Sequence, residues 1–170
     1  MEKHLRCSTL MAGVAVLLAV FCAMIHAQTA SASSQTAPAS SVEAAIPVAE
    51  LLQPKDLVQL LRSSSANKPM ILQVGSHVLY AEAHIPGSEY AGAVGQEAGL
   101  RALQDRVKGL KRDMFLVIYC GCCPWDKCPN IRPAYQQLRA LGFTHVKVLY
   151  LANNFGANWV NKGYPVAQGR

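Results

Sequence analysis

Residues 114–119, Met-Phe-Leu-Val-Ile-Tyr, are the strongest strand of the chain, nearly all apolar, and they run directly into Cys120. Successive side chains of a strand point to opposite faces, so a strand that is apolar on both needs cover on both, as in the buried parallel sheets of α/β proteins. The surrounding pattern agrees. Residues 70–74 (Met-Ile-Leu-Gln-Val) form a second short apolar run stopped by Gly75, residues 146–150 a third, and residues 46–51 are read as a short edge strand. Between them lie helical patterns. Leu57, Leu60 and Leu61 follow Pro54 at helical spacing, and Leu100, Leu103, Val107 and Leu110 share one face. Residues 133–141 form a helix closed by Gly142, and residues 158–162 a short last helix ended by Gly163. Strands alternating with helices predict an α/β fold with a central parallel sheet and helices on both faces. In sheets of this kind ligands bind beyond the carboxyl ends of the strands. The segment that follows residue 119 occupies that place.

That segment is Cys120-Gly121-Cys122-Cys123-Pro124-Trp125-Asp126-Lys127-Cys128. Four of the chain's six cysteines fall within it, and the other two, Cys7 and Cys22, belong to the N-terminal region. Four thiols in one loop cannot staple distant parts of a fold, so their role is local. A thiolate there would be favoured by the N-terminus of the following helix and by nearby cations, for which Lys127 and Arg132 are the candidates.

The first 45 residues are of a different kind. A basic start (Lys3, His4, Arg6) precedes a 15-residue apolar or small run over 11–25, short of the ~20 residues that cross a bilayer as a helix. This pattern predicts a secretory signal peptide over residues 1–27, cleaved after Ala27, and a periplasmic or secreted protein. An uncleaved N-terminal anchor is the alternative, and membrane contact is expected only through it. Residues 28–45, rich in Ala, Ser, Thr and Gln with Glu43 as the one charge, have too little apolar bulk to offset the entropy of ordering and read as a flexible linker. Residues 46–170 are the domain. Beyond residue 27 there are 14 Lys or Arg against 9 Asp or Glu, scattered and not interleaved with aromatics, which argues against nucleic acid as a partner.

The order of motifs resembles the rhodanese-like domains. The resemblance is carried by Val117-Ile118-Tyr119-Cys120, the helix through Ala134 and Leu138, Leu141-Gly142-Phe143, Val146-Lys147-Val148-Leu149, and Trp159-Val160-Asn161-Lys162-Gly163-Tyr164-Pro165-Val166. Ala83-His84-Ile85-Pro86-Gly87-Ser88 resembles the family's Gly-His-Ile-Pro-Gly-Ala segment, and the whole spans about residues 46–166. The resemblance implies a rhodanese-like fold and sulfurtransferase chemistry, in which a cysteine at the end of the central strand accepts a sulfane sulfur and hands it to a thiophilic acceptor. By position that cysteine is Cys120. Gly121, Lys127 and Arg132 are the expected substrate-binding residues, and a small sulfur-containing anion or a thiol acceptor is the expected partner. Neither a cofactor nor a metal is expected.

Three departures from the family bear on activity. Gln73-Val74-Gly75 stands where Asp-Val-Arg is usual, the loop is about five residues longer than the common six-residue one, and it carries three further cysteines. Those cysteines open a second scheme, in which a neighbour attacks the Cys120 persulfide, releases sulfide and leaves a disulfide. Cys128 is the natural resolving residue, with Cys122 and Cys123 as rivals. Bridging the adjacent Cys122 and Cys123 to each other requires strained geometry. The alternatives are a non-catalytic or thiol-disulfide redox module, or a loop binding zinc or copper(I) through its thiolates, a reading opposed by the crowding of adjacent ligands.

Overall fold

A computed structural model describes residues 45–64 and 67–169, all within one compact unit. The expected signal peptide and nearly all of the expected linker lie outside the described residues, and no described helix is long and apolar enough to cross a membrane.

Five strands make one sheet: β1 (Leu51–Leu52), β2 (Met70–Gln73), β3 (Glu89–Tyr90), β4 (Leu116–Tyr119) and β5 (Val146–Leu149), in the spatial order β1-β5-β4-β2-β3. Every neighbouring pair is parallel; Leu72 is opposite Ile118, which is opposite Val148. The helices are α1 (Pro54–Arg62), α2 (His77–Glu82), α3 (Glu97–Val107), α4 (Ile131–Ala140) and α5 (Phe155–Asn158).

The alternation along β4 divides the interior. Leu116 and Ile118 join one core with Leu103 and Val107 of α3 and Ala134 and Leu138 of α4. Val117 and Tyr119 join the other, with Leu57 and Val58 of α1, Phe155 of α5 and Trp159. Full burial of such side chains is worth about 1.5–3 kcal/mol each, which makes β4 the natural centre of the sheet. The same alternation carries Cys120 onto the α3 and α4 face.

Most differences from the sequence reading concern edges. Of residues 46–51, only the last is strand, because Val48–Glu50 winds into a 3-10 turn first. Glu50 there pairs with Lys147 at 3.0 Å, anchoring this edge to β5. Helix α2 and strand β3 were not expected: six and two residues are too few for a period to show. Helix α4 begins at Ile131, two residues before the expected start, so that Pro133 sits in the first turn, where a missing N–H costs nothing.

Candidate active site

The cysteine loop leaves β4, crosses the carboxyl edge of the sheet and enters α4. It is fastened along its length. Gly121 accepts a hydrogen bond on its carbonyl from Phe155 N at 3.0 Å, and Trp125 N donates to Ala152 O at 3.1 Å. The Trp125 ring packs 5.2 Å from that of Tyr150, and residues Trp125–Lys127 form a 3-10 turn. Gly121 has φ +80°, and a Cβ there would lie 2.7 Å from Phe155 Cβ, so both backbone and space require glycine.

The four sulfurs converge. Cys120 Sγ lies 3.2 Å from Cys122 Sγ, and Cys122 Sγ lies 2.8 Å from Cys123 Sγ. The Sγ atoms of Cys120, Cys122 and Cys128 all fall within 4.8 Å of one another, so these three could hold a soft metal ion. Cys123 is not part of that triangle, although its Sγ stays 2.8 Å from that of Cys122. All four thiols are free.

Their proton affinities diverge. Cys128 is pulled down to about 6, first by a hydrogen bond from the Cys120 thiol and further by the backbone amides of Asn130 and Ile131, against the opposing effect of burial. Cys120 is pushed up, first by hydrogen bonding to Cys128 and then by burial; the amide of Cys122 opposes this. Burial, followed by hydrogen bonding to Cys122, raises Cys123 to about 12. The cluster therefore favours its negative charge on Cys128 over Cys120 and Cys123. From the sequence, the free amides at the start of α4 were expected to face Cys120. The backbone amides of Asn130 and Ile131, two and three residues beyond Cys128, favour the Cys128 thiolate instead.

Two side chains that position Cys120 were not singled out from the sequence. Asn130 Nδ2 donates to Cys120 Sγ at 3.2 Å, while its Oδ1 accepts from Gly95 N at 2.7 Å. Gln73, 2% exposed, donates from Nε2 to the Cys120 carbonyl at 3.1 Å and accepts from Gly75 N at 3.2 Å. The neutral amide of Gln73 thus braces the loop where the family usually has a carboxylate. Gly75 explains the missing arginine: a Cβ there would stand 2.7 Å from Cys120 Sγ. The signals were present, an Asn just before a helix and an amide at the end of an otherwise apolar strand, but neither names its partner. His84 is buried, stacks on Tyr80 at 4.0 Å between ring centroids and bonds through Nδ1 to Tyr80 O at 2.8 Å, all within the fold.

Two clefts open on the loop. Cys120, Gly121 and Cys122 line one of about 290 Å³, together with Gln73, Leu79, Glu82 and Phe155. Cys128 lines the other, about 520 Å³, together with Lys127 and Arg132. The expected substrate-binding residues are therefore split, Gly121 beside Cys120 and the two cations beside Cys128.

A five-stranded parallel sheet covered by helices, with a cysteine at the end of its central strand, is the architecture of a rhodanese-like domain, and this chain has that fold. The chain is similar to a crystal structure of the Alr3790 protein from Anabaena sp., with a TM-score of 0.53 and 22% identity over 69% of this chain and 92% of that one. The solution structure of the rhodanese-like domain of the same protein gives 0.52 and 22% over 70% and 79%. The BH2092 protein from Bacillus halodurans gives 0.51 and 21% over 69% and 75%. No protein-family model matches the chain, and no curated protein matches it.

Proposed function

We propose that this domain is a sulfurtransferase or persulfide carrier in which Cys120 takes up a sulfane sulfur and Cys128 governs its protonation and its release. The observation that carries this reading is a cysteine lining a cleft with a second sulfur, that of Cys128, whose proton affinity is lowered, within 4.8 Å of its own. Cys120 is a poor nucleophile while protonated, and Cys128, whose Sγ lies within 4.8 Å of its own, is the proton acceptor the cluster favours. As Cys120 Sγ attacks the outer sulfur of a donor, the proton passes to Cys128 and the donor leaves with the electron pair of its broken bond. Cys120–S–SH remains. An incoming thiol takes the outer sulfur and restores Cys120–SH. Without one, Cys128 gives up the proton it accepted to the departing donor group, its thiolate attacks Cys120 Sγ, the outer sulfur leaves as hydrosulfide, and a Cys120–Cys128 disulfide forms. An external dithiol then resets the pair. Cys122 and Cys123 are rival resolving residues.

The test is sulfur transfer to cyanide or a thiol by Cys120→Ser. The expected outcome is loss of transfer to background; undiminished transfer would refute the reading. Export belongs to the same proposal, and N-terminal sequencing of the protein recovered from its compartment is expected to begin at Gln28.

The three-sulfur triangle favours one second reading, a soft metal site. Protein purified under reducing conditions that retains stoichiometric zinc or copper after dialysis would support it, and metal-free protein with four titratable thiols would speak for the persulfide chemistry.

A further inference from the structure

The clefts beside Cys120 and Cys128 differ in what they can hold. In the Cys120 cleft the walls come from Leu79, Ala83, Phe155 and Val160, and Glu82 is the single charged residue among the described residues that line it. Several of its polar groups are already engaged. The Gln73 amide spans Cys120 O and Gly75 N, Asn154 Oδ1 accepts from Ala157 N at 2.8 Å, and Phe155 N donates to Gly121 O at 3.0 Å. A dianion such as thiosulfate would lose hydration on entering, would meet no cation among the described residues that line the cleft, and would face a carboxylate. Lys127 and Arg132, which would welcome it, open on the other cleft. An organic body, by contrast, gains from entering: Leu79 and Val160, 38% and 37% exposed, are two large apolar side chains left open at this site. A volume of about 290 Å³ suits a small molecule and not a protein segment.

Resting on the sulfur-transfer reading, we infer that the donor to Cys120 is a small organic persulfide, R–S–SH, whose body carries no negative charge, with Glu82 favouring a cationic one. The step balances without a further reagent. Cys120 Sγ bonds to the outer sulfur, the S–S bond of the donor breaks toward R, and R–S⁻ leaves to be protonated. Cys120–SH and R–S–SH thus become Cys120–S–SH and R–SH.

The test follows sulfur loading of Cys120 in the wild-type full chain by mass spectrometry, as the sum of the one-sulfur adduct and the Cys120–Cys128 disulfide that replaces it, after brief exposure to each donor. Donors are the persulfides of cysteamine, 2-mercaptoethanol and mercaptosuccinate, which differ in the charge of R, and thiosulfate. Loading is expected to fall in that order, by about tenfold from the cationic to the dianionic persulfide at low salt, with the spread shrinking as salt screens the exposed Glu82. Glu82→Gln is expected to compress the spread, and Glu82→Lys to raise loading by thiosulfate. Thiosulfate loading Cys120 as fast as cysteamine persulfide, or a spread unchanged in Glu82→Gln, would overturn the inference and leave sulfur transfer standing. If no donor adds sulfur to Cys120, the transfer reading falls as well.

Discussion

Cys120 and Cys128, with sulfurs within 4.8 Å of each other, are shifted in opposite directions, and this makes two predictions. The first concerns pH. Cys128, lowered to about 6, is thiolate above that value and thiol below it. Its alkylation by iodoacetamide is therefore expected to stay nearly constant from alkaline pH down to about 7 and to fall by half near 6. Cys120, held as a thiol, should be alkylated far more slowly over this range. Peptide mapping after brief alkylation at a series of pH values checks both. The second concerns Gly75. A methyl group there stands 2.7 Å from Cys120 Sγ, and overpacking of this kind costs about 1–3 kcal/mol. Gly75→Ala should lower Tm and, by displacing the sulfur from Cys128, move the Cys128 alkylation midpoint upward. A midpoint unmoved by Gly75→Ala would mean that the two sulfurs do not depend on their contact.

The loop between β4 and α4 is the element in which sequence and structure diverge most. That it begins at a strand end and runs to a helix was legible, because an all-apolar strand and a helical repeat announce themselves by period. Which cysteine receives the helix amides was not legible. That depends on the three-dimensional path of nine residues through Gly121 and the Trp125–Lys127 turn, and local spacing carries no record of it. Asn130 and Gln73 were missed for the same reason, since their partners, Cys120 and Gly95 for one and Cys120 and Gly75 for the other, lie far away along the chain or belong to backbone. The path itself is testable at Gly121. Its φ of +80° and the 2.7 Å approach to Phe155 together put the cost of Gly121→Ala at about 2–4 kcal/mol, read as a fall in urea midpoint at unchanged slope. A near-neutral effect would indicate a loop free to take another course.

At the scale of the molecule, a five-stranded parallel sheet with a core on each face delivers Cys120 to the α3 and α4 side, against the start of α4, and leaves a cleft beside it. This level was the most legible in the sequence, since buried strands and amphipathic helices leave long periodic signatures. The two-residue β3 and the six-residue α2 left none, and of the edge strand expected over 46–51 only Leu51 is strand. The architecture does not itself choose between sulfur transfer and an inert thiol cluster; the traffic of sulfur between Cys120 and Cys128 does. The decisive measurement is the intact mass and peptide map of wild-type protein and Cys128→Ser after reduction, removal of reductant and one equivalent of a persulfide donor. The wild type is expected to release hydrosulfide and end two hydrogens lighter with Cys120 bonded to Cys128, while Cys128→Ser keeps one extra sulfur on Cys120. Two proteins that both emerge unchanged in mass, with every thiol still free, would contradict the account.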